Sequence, residues 1–200
     1  MHHIPPTPPS PLAGTAADGE VPDTILAAAA RLDRRAFTPL YERYVAAIYR
    51  YCYYRLGSRE AAEDATSQVF TRALTAISRF QTERGSFRSW LFVIAHNTVV
   101  DAHRQQRAAT SLTWIDPPSP ASGPEQDAIA TQEREELTTL MAGIPTAQRQ
   151  VLELRLSGLT SPEVATVLGI SPTAVRSLQF RAVAALRAQL APPDMTGGHA

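Results

Sequence analysis

Five side chains near the end of this 200-residue chain, Thr173, Arg176, Ser177, Phe180 and Arg181, fall at helical spacing in a stretch without an acid. Arginine can neutralise phosphate or take guanine O6 and N7 bidentately, and hydroxyls can serve phosphates or base edges. The segment that carries them, G-L-T-S-P-E-V-A-T-V-L-G-I-S-P-T-A-V-R-S-L-Q-F-R-A-V-A-A-L-R-A-Q-L (158–190), reads as a helix-turn-helix. Its first helix is expected to start at Ser161-Pro162 and its second at Ser171-Pro172, each with an N-cap serine and a proline at the first helical position. Gly169 supplies the left-handed turn between them. Val175, Leu178, Ala182 and Leu186 share the opposite face and should pack on Val164, Leu168 and Ile170. The second helix would then lie in a DNA major groove.

A second constellation is F-R-S-W-L-F-V-I-A-H-N-T-V-V-D-A-H-R-Q-Q-R, residues 87–107. It is an amphipathic helix that ends in Arg104 and Arg107. Aromatics beside arginines suit single-stranded nucleic acid, where bases stack on rings and cations track the backbone. Trp90, Leu91 and Ile94 are expected to pack inward, which leaves Phe80, Phe87 and Arg88, around the preceding loop, as candidates for base contact. His96, Asp101 and His103 do not make a metal site. The two histidines are seven residues apart, ~10 Å along a helix, and no further ligand has suitable spacing. There is no phosphate loop and no nucleophile paired with a base, so neither an enzyme nor a cofactor is expected. Glu60, Glu63 and Asp64 read as the acidic first turn of a helix.

The elements that must hold these groups are helical throughout. Helical periodicity places helices over about 23–35, 36–56, 59–78 and 87–106, with Ser58 as an N-cap and a polar loop over 79–86. Phe37, Leu40, Tyr44, Ala47 and Ile48 line the second helix, and Ala62, Ala65, Val69, Ala73 and Ile77 line the third. A further helical block covers about 125–142, 146–157 and the helix-turn-helix. Between the blocks, residues 108–124 end in P-P-S-P-A-S-G-P, a semi-rigid linker composition. Residues 1–22 are rich in Pro, Gly and Ala and are expected to be disordered. The fold class is therefore all-α: two small helical domains, 23–107 and 131–190, joined by a flexible linker over 108–130, with a tail over 191–200.

Composition bounds the function further. Apolar runs are too short for a membrane span, and the N-terminus lacks a signal-peptide pattern. Cytoplasmic residence is the default, and the single Cys52 is expected to serve core packing. Formal net charge is zero, yet all nineteen basic residues are arginines. Residues 37–107 carry +4, 108–132 carry −3, and 171–190 carry +3. So little net charge argues against tight, unassisted DNA binding, which rests on phosphate neutralisation. A protein that borrows affinity from a larger partner fits better.

The helix-turn-helix, together with A-E-D-A-T-S-Q-V-F-T-R-A-L (62–74) and F-R-S-W-L-F-V-I-A-H-N-T-V-V-D-A-H-R (87–104), resembles the extracytoplasmic-function group of bacterial RNA polymerase sigma factors, within the sigma-70 family. The resemblance runs over about 34–190. It implies a sigma-two-type first domain and a sigma-four-type second domain. Asp64, Gln68, Phe70 and Arg72 match the motif that docks on the β′ clamp of core RNA polymerase. Phe80, Arg88 and Asn97, with Arg104 and Arg107 beyond them, fall where the −10 element is melted and held. Thr173, Arg176, Ser177, Phe180 and Arg181 fall where the −35 element is read. Core RNA polymerase (β′ clamp and β subunit), promoter DNA and an anti-sigma factor are the implied partners, without membrane insertion. Ala65 and Ser67-Gln68 depart from a usual leucine and Gln-Glu, and Leu178-Gln179-Phe180 departs from a basic-Leu-His pattern.

Overall fold

The computed structural model describes residues 21–112, 141 and 143–190, without the side chains of Arg84 and of 107–112. The expected N-terminal extension, the linker, nearly all of the helix at 125–142 and the tail lie outside these residues. Seven α-helices are described: α1 (Asp23–Leu32), α2 (Thr38–Leu56), α3 (Arg59–Ala76), α4 (Phe87–Leu112), α5 (Thr146–Leu156), α6 (Ser161–Leu168) and α7 (Pro172–Leu190). Short 3-10 turns cover Arg34–Phe37, Ile77–Arg79 and Thr82–Arg84. No strand occurs among the described residues.

Local chemistry sets the boundaries. Helix α2 stops at Gly57, whose φ of 69° is left-handed and suits a residue without a Cβ. Ser58 then caps α3, its Oγ accepting from the Ala61 N–H at 3.4 Å. The first expected helix is shorter than read. Asp33 is extended, and its carboxylate accepts from Arg35 N–H at 2.9 Å to open the 3-10 turn. Asp23, at the start of α1, is bonded by both Arg43 and Tyr44 of α2.

The helix-turn-helix start is shifted by one residue. Thr160, not Ser161, is the N-cap of α6. The reason is Glu163, which completes a capping box: its carboxylate accepts from Thr160 N–H at 2.8 Å, and Thr160 Oγ1 accepts from Glu163 N–H at 3.4 Å. Two orphan donors are thereby satisfied at once, whereas Ser161 occupies the first helical position. Ser171 does cap the next helix, accepting from Ala174 N–H at 3.1 Å. Gly169 is left-handed at φ 65°.

Helices α1–α4 form one bundle and α5–α7 a second. Leu40, Tyr44, Ile48 and Tyr51 of α2 meet Ala62, Val69 and Ala73 of α3, together with Leu91, Phe92, Ala95 and Val99 of α4. Cys52 is buried in that core, and burial pushes its thiol up to about 11. In the second bundle Val175 and Leu178 pack with Val164, Leu168 and Ile170 as expected. The lower half of α7 has a different partner: Ala182, Val183 and Leu186 form a separate cluster with Met141, Ile144 and Leu152.

The bundles touch. Helix α4 packs along α6, and α2 meets α5. Arg55 of α2 and Glu153 of α5 form an ion pair at 3.1 Å, with side chains only 9% and 4% exposed. Nothing in the sequence placed these two residues together.

Capping generates the first prediction. Thr160→Ala should lower the stability of the second bundle by about 1 kcal/mol, while Thr160→Ser, which keeps the hydroxyl, should stay near the parent. Thermal unfolding followed by circular dichroism checks it. Equal losses for both variants would show that the hydroxyl is not what holds the start of α6.

Candidate nucleic-acid interface

The outward side of α7 is built by its inward side. With Val175 and Ala182 buried, helical geometry turns Thr173, Arg176, Ser177, Phe180 and Arg181 outward, and all five are exposed. The two arginines lie along their own helix: Arg181 Nη2 donates to Ser177 Oγ at 3.0 Å, and Arg176 Nη2 to Thr173 Oγ1 at 3.4 Å. No acid lies between Glu163 and Asp194 in the sequence. The face is therefore a cationic strip with hydroxyls along it. Phe180, 76% exposed, is its one large apolar group. Such a surface can neutralise phosphates and offer donors and an apolar contact to base edges.

The four residues matched on α3 divide. Asp64, Gln68 and Arg72, four residues apart, form an exposed stripe. Arg72 leans on α4, donating from Nη1 to Asp101 Oδ2 and Thr98 Oγ1, each at 3.1 Å. Phe70 leaves the stripe. It is 6% exposed and meets Tyr41 edge-on at 4.7 Å and Phe37 at 6.4 Å.

The α4 region requires a correction. Phe80 and Phe87, expected near the surface for base contact, are 3% and 1% exposed. Phe80 lies 5.6 Å from Phe87 and 5.3 Å from Trp90, and Phe87 lies 6.3 Å from Phe37. These rings form an aromatic core beneath the loop, where burial outweighs any role on the surface. In this arrangement neither can stack on a base. Trp90, expected inside, is half-buried and forms the outer edge of the cluster.

The remaining α4 residues do not share a face. Arg88 and Asn97 are nine residues apart, two and a half turns, so they project from opposite sides. Asn97 and Arg104 are exposed two turns apart on one side, and Arg104 borders the cleft between the bundles near Arg55 and Glu153. Arg107 lies on α4, and its side chain is outside the described residues. Arg88 faces the second bundle: Nη1 donates to the Gly158 carbonyl at 3.0 Å, and the guanidinium lies 5.9 Å from the Tyr44 ring centroid. Beside it Ser86 Oγ donates to Glu163 Oε1 at 2.6 Å. Burial disfavours the Glu163 charge, yet bonds from Ser86 and Thr160, and the Arg88 charge, hold its pKa below the usual carboxylate range.

Sequence reasoning missed Ser86, Glu153 and Glu163, and it read Arg55 only as helix. One signal was present. Glu153 sits within V-L-E-L-R-L, where an acid flanked by core positions needs a partner. The partner lies 98 residues away, beyond what spacing can reveal. Among the described residues no cluster of His, Cys, Asp and Glu could hold a metal ion. None of the described helices is long and apolar enough to cross a membrane.

Comparison with known proteins decides the family. The family model for Sigma-70 region 2 matches residues 40–109, and that for Sigma-70 region 4 matches 134–186. The ECF RNA polymerase sigma factor SigD of Mycobacterium tuberculosis is 33% identical over 180 residues, 86% of this chain and 85% of its own. The chain belongs to the ECF sigma factors of the sigma-70 family. These proteins bind core RNA polymerase and direct transcription initiation at promoters. The ECF sigma factor BldN of Streptomyces coelicolor is 36% identical over 163 residues, and the match spans 80% of this chain and 61% of BldN. Among solved structures, CnrH in complex with the cytosolic domain of CnrY aligns with a TM-score of 0.66 at 29% identity. That alignment covers 84% of this chain and 96% of CnrH.

The two phenylalanines at 80 and 180 should behave oppositely. Phe80→Ala, which empties an aromatic core site, should destabilise this sigma factor by about 3–5 kcal/mol. Phe180→Ala should change stability by no more than about 0.5 kcal/mol. Urea denaturation measures both, and a small loss at Phe80 would contradict its placement in the core.

Proposed function

We propose that this sigma factor divides promoter recognition between its two bundles, with domain limits near 23–107 and 131–190. The observation that carries the reading is the exposed, acid-free strip on α7, set on a capped helix-turn-helix. In this reading Arg176 and Arg181 neutralise phosphates or take guanines of the −35 element. Thr173 and Ser177 serve backbone or base edges, and Phe180 makes apolar contact in the groove. The first bundle handles the −10 element through α4, with Arg88, Asn97, Arg104 and Arg107 as its polar contacts. Phe80 acts from beneath, as core that fixes the loop. Binding energy for an unstacked base offsets part of an unpairing cost of a few kcal/mol per step.

The stripe Asp64, Gln68 and Arg72 docks on the β′ clamp, with Phe70 holding its helix in place, and the second bundle lies against the β subunit. Polymerase supplies the affinity that a neutral chain lacks. By holding both bundles on one DNA it turns two weak contacts into a linked one. An anti-sigma factor is the expected inhibitor, and the cytoplasm is the expected compartment.

Run-off transcription with core polymerase on genomic fragments tests the whole. Discrete starts that need both components are expected. A shifted palindromic duplex with the chain alone, and no starts, would instead indicate a stand-alone regulator. Two variants test the parts. Arg176→Ala with Arg181→Ala should reduce promoter-specific starts at least tenfold while the chain still co-purifies with core enzyme, on the basis of about 1–3 kcal/mol per bidentate pair. Co-purification that fell in step with transcription would refute the assignment. Asp64→Arg should weaken binding to core enzyme, read by fluorescence anisotropy, and unchanged affinity would remove α3 as the docking surface.

A further inference from the structure

One corner of the first bundle gathers positive charge that the fold itself does not use. Arg31 lies in the last turn of α1, Arg34 and Arg35 open the 3-10 turn that follows, and Arg79 ends the 3-10 turn after α3. These pieces are neighbours. Helix α1 touches both turns, and Arg34 lines the α2–α3 groove together with Leu74 near the end of α3. All four arginines are exposed. Segments 31–38 and 77–82 set these four against one acid, Asp33, so the corner carries +3. The Asp33 carboxylate is itself engaged, accepting from Arg35 N–H at 2.9 Å.

Other arginines of this bundle are committed. Arg43 pairs with Asp23, Arg59 with Glu63 and Arg72 with Asp101. The four guanidinium groups of the corner have no hydrogen-bond or ion-pair partner among the described residues. Like charges gathered without counter-charges repel, and an anion laid across them relieves the repulsion. Leu32, 93% exposed, is the large apolar side chain that stands out there, too little for the apolar centre of a protein interface. Clustered arginines on one face are the electrostatic footprint of a nucleic-acid backbone. The corner is also fixed beside the loop that precedes α4. Arg79 directly precedes Phe80. Phe37, at the end of the other turn, meets Phe87 at 6.3 Å, and Phe80 meets Phe87 at 5.6 Å. The buried rings therefore anchor both arginine-bearing turns to the start of α4.

We propose that Arg31, Arg34, Arg35 and Arg79 form a phosphate-binding corner that holds the sugar-phosphate backbone of promoter DNA next to the −10 element. The inference rests on the assignment of α4 and its preceding loop to that element. The corner reads no base: guanidinium groups on phosphates set the position of a strand, while base edges are read elsewhere. It is built from α1 and two turns, outside every DNA or polymerase contact assigned above.

The test is the salt dependence of binding. The probe is a fluorescent forked DNA, duplex upstream and single-stranded across −10, bound by holoenzyme made with the full chain. One variant carries Arg→Gln at positions 31, 34, 35 and 79, and a second carries Arg→Lys at the same four. Each phosphate neutralised adds about 0.7–0.9 to the slope of log affinity against log salt. The Gln variant should lower that slope by about 3 and weaken binding about tenfold or more at ~0.1 M salt. Its line should meet the parent's near ~1 M, where counterion release no longer favours binding. The loss should be the same on a scrambled −10 sequence. The Lys variant keeps the charges and should keep the slope. Thermal unfolding by circular dichroism should match the parent for both variants, since the four side chains bond nothing in the described fold.

An unchanged slope in the Gln variant would overturn the proposal, as would a loss confined to the −10 sequence. An equal loss of affinity for core enzyme without DNA would assign the corner to polymerase and overturn it too. Asn97→Ala keeps the two readings apart. With α4 on the −10 element, that variant should lose its preference for −10 over scrambled DNA and keep the parent slope. Preference lost there, with no change of slope in the Gln variant, rejects the corner alone. Preference retained, with the slope lowered in the Gln variant, rejects Asn97 as a −10 contact and leaves the phosphate-binding corner standing.

Discussion

Helix α4 is packed on both sides, and the rest of the structure depends on that. Phe87, Leu91, Phe92, Ala95 and Val99 fill the core of the first bundle, while the helix also lies along α6. A helix apolar on one stripe would settle against one neighbour and leave its other side to water. Here the turn that starts α4 carries Ser86 and Arg88, which bond the second bundle. The sequence F-R-S-W-L-F-V-I-A-H-N therefore serves core packing, the junction and the proposed nucleic-acid contact within three turns.

Charge is placed with the same economy. The chain is neutral overall; Arg176 and Arg181 stand exposed on the outward face of α7, and a deeply buried ion pair, Arg55–Glu153, sits between the bundles. Burial raises the pKa of Glu153, and Arg55 and Arg149 oppose the rise. Burial, and with it the Arg55 charge, lowers the pKa of His96. These groups are tuned by one another, so a charge lost from the junction leaves another exposed to the full cost of burial. The strip on α7 has no such coupling. Among the described residues, Arg176 and Arg181 bond hydroxyls and a carbonyl of their own helix, and the charge remains available to a phosphate.

What could be read in the sequence was local and periodic. The apolar positions of α2 and α3 recur at helical spacing, and each residue named for those faces is buried or half-buried. Ser58 and Ser171 cap where expected because a cap bonds two or three residues along the chain. Thr160 took the place of Ser161 because Glu163 can answer it, a reciprocity that the Ser-Pro signal conceals. Phe80 and Phe87 were misplaced for another reason. Aromatics beside arginine in a polar loop look the same in sequence whether they meet a base or one another. Only the convergence of Phe37, Tyr44, Phe80, Phe87 and Trp90 from two helices, a 3-10 turn and a loop decides it. The outward strip of α7 was legible because its core face, Val175 and Ala182, dictates it. The Arg55–Glu153 pair was not, because contact between residues 98 apart is a property of the assembled fold.

An ion pair at the junction sets its register more than its strength. Had Arg55 and Glu153 been leucines, the same burial would have added stability with no desolvation penalty, and the bundles would part only at the cost of exposing apolar surface to water. With charges, separation returns both groups to full hydration, so much of the lost attraction is recovered. The register is nevertheless specific, since any other seating leaves a buried charge unpaired. The apolar contact between α4 and α6 resists opening, and the polar links fix where it closes.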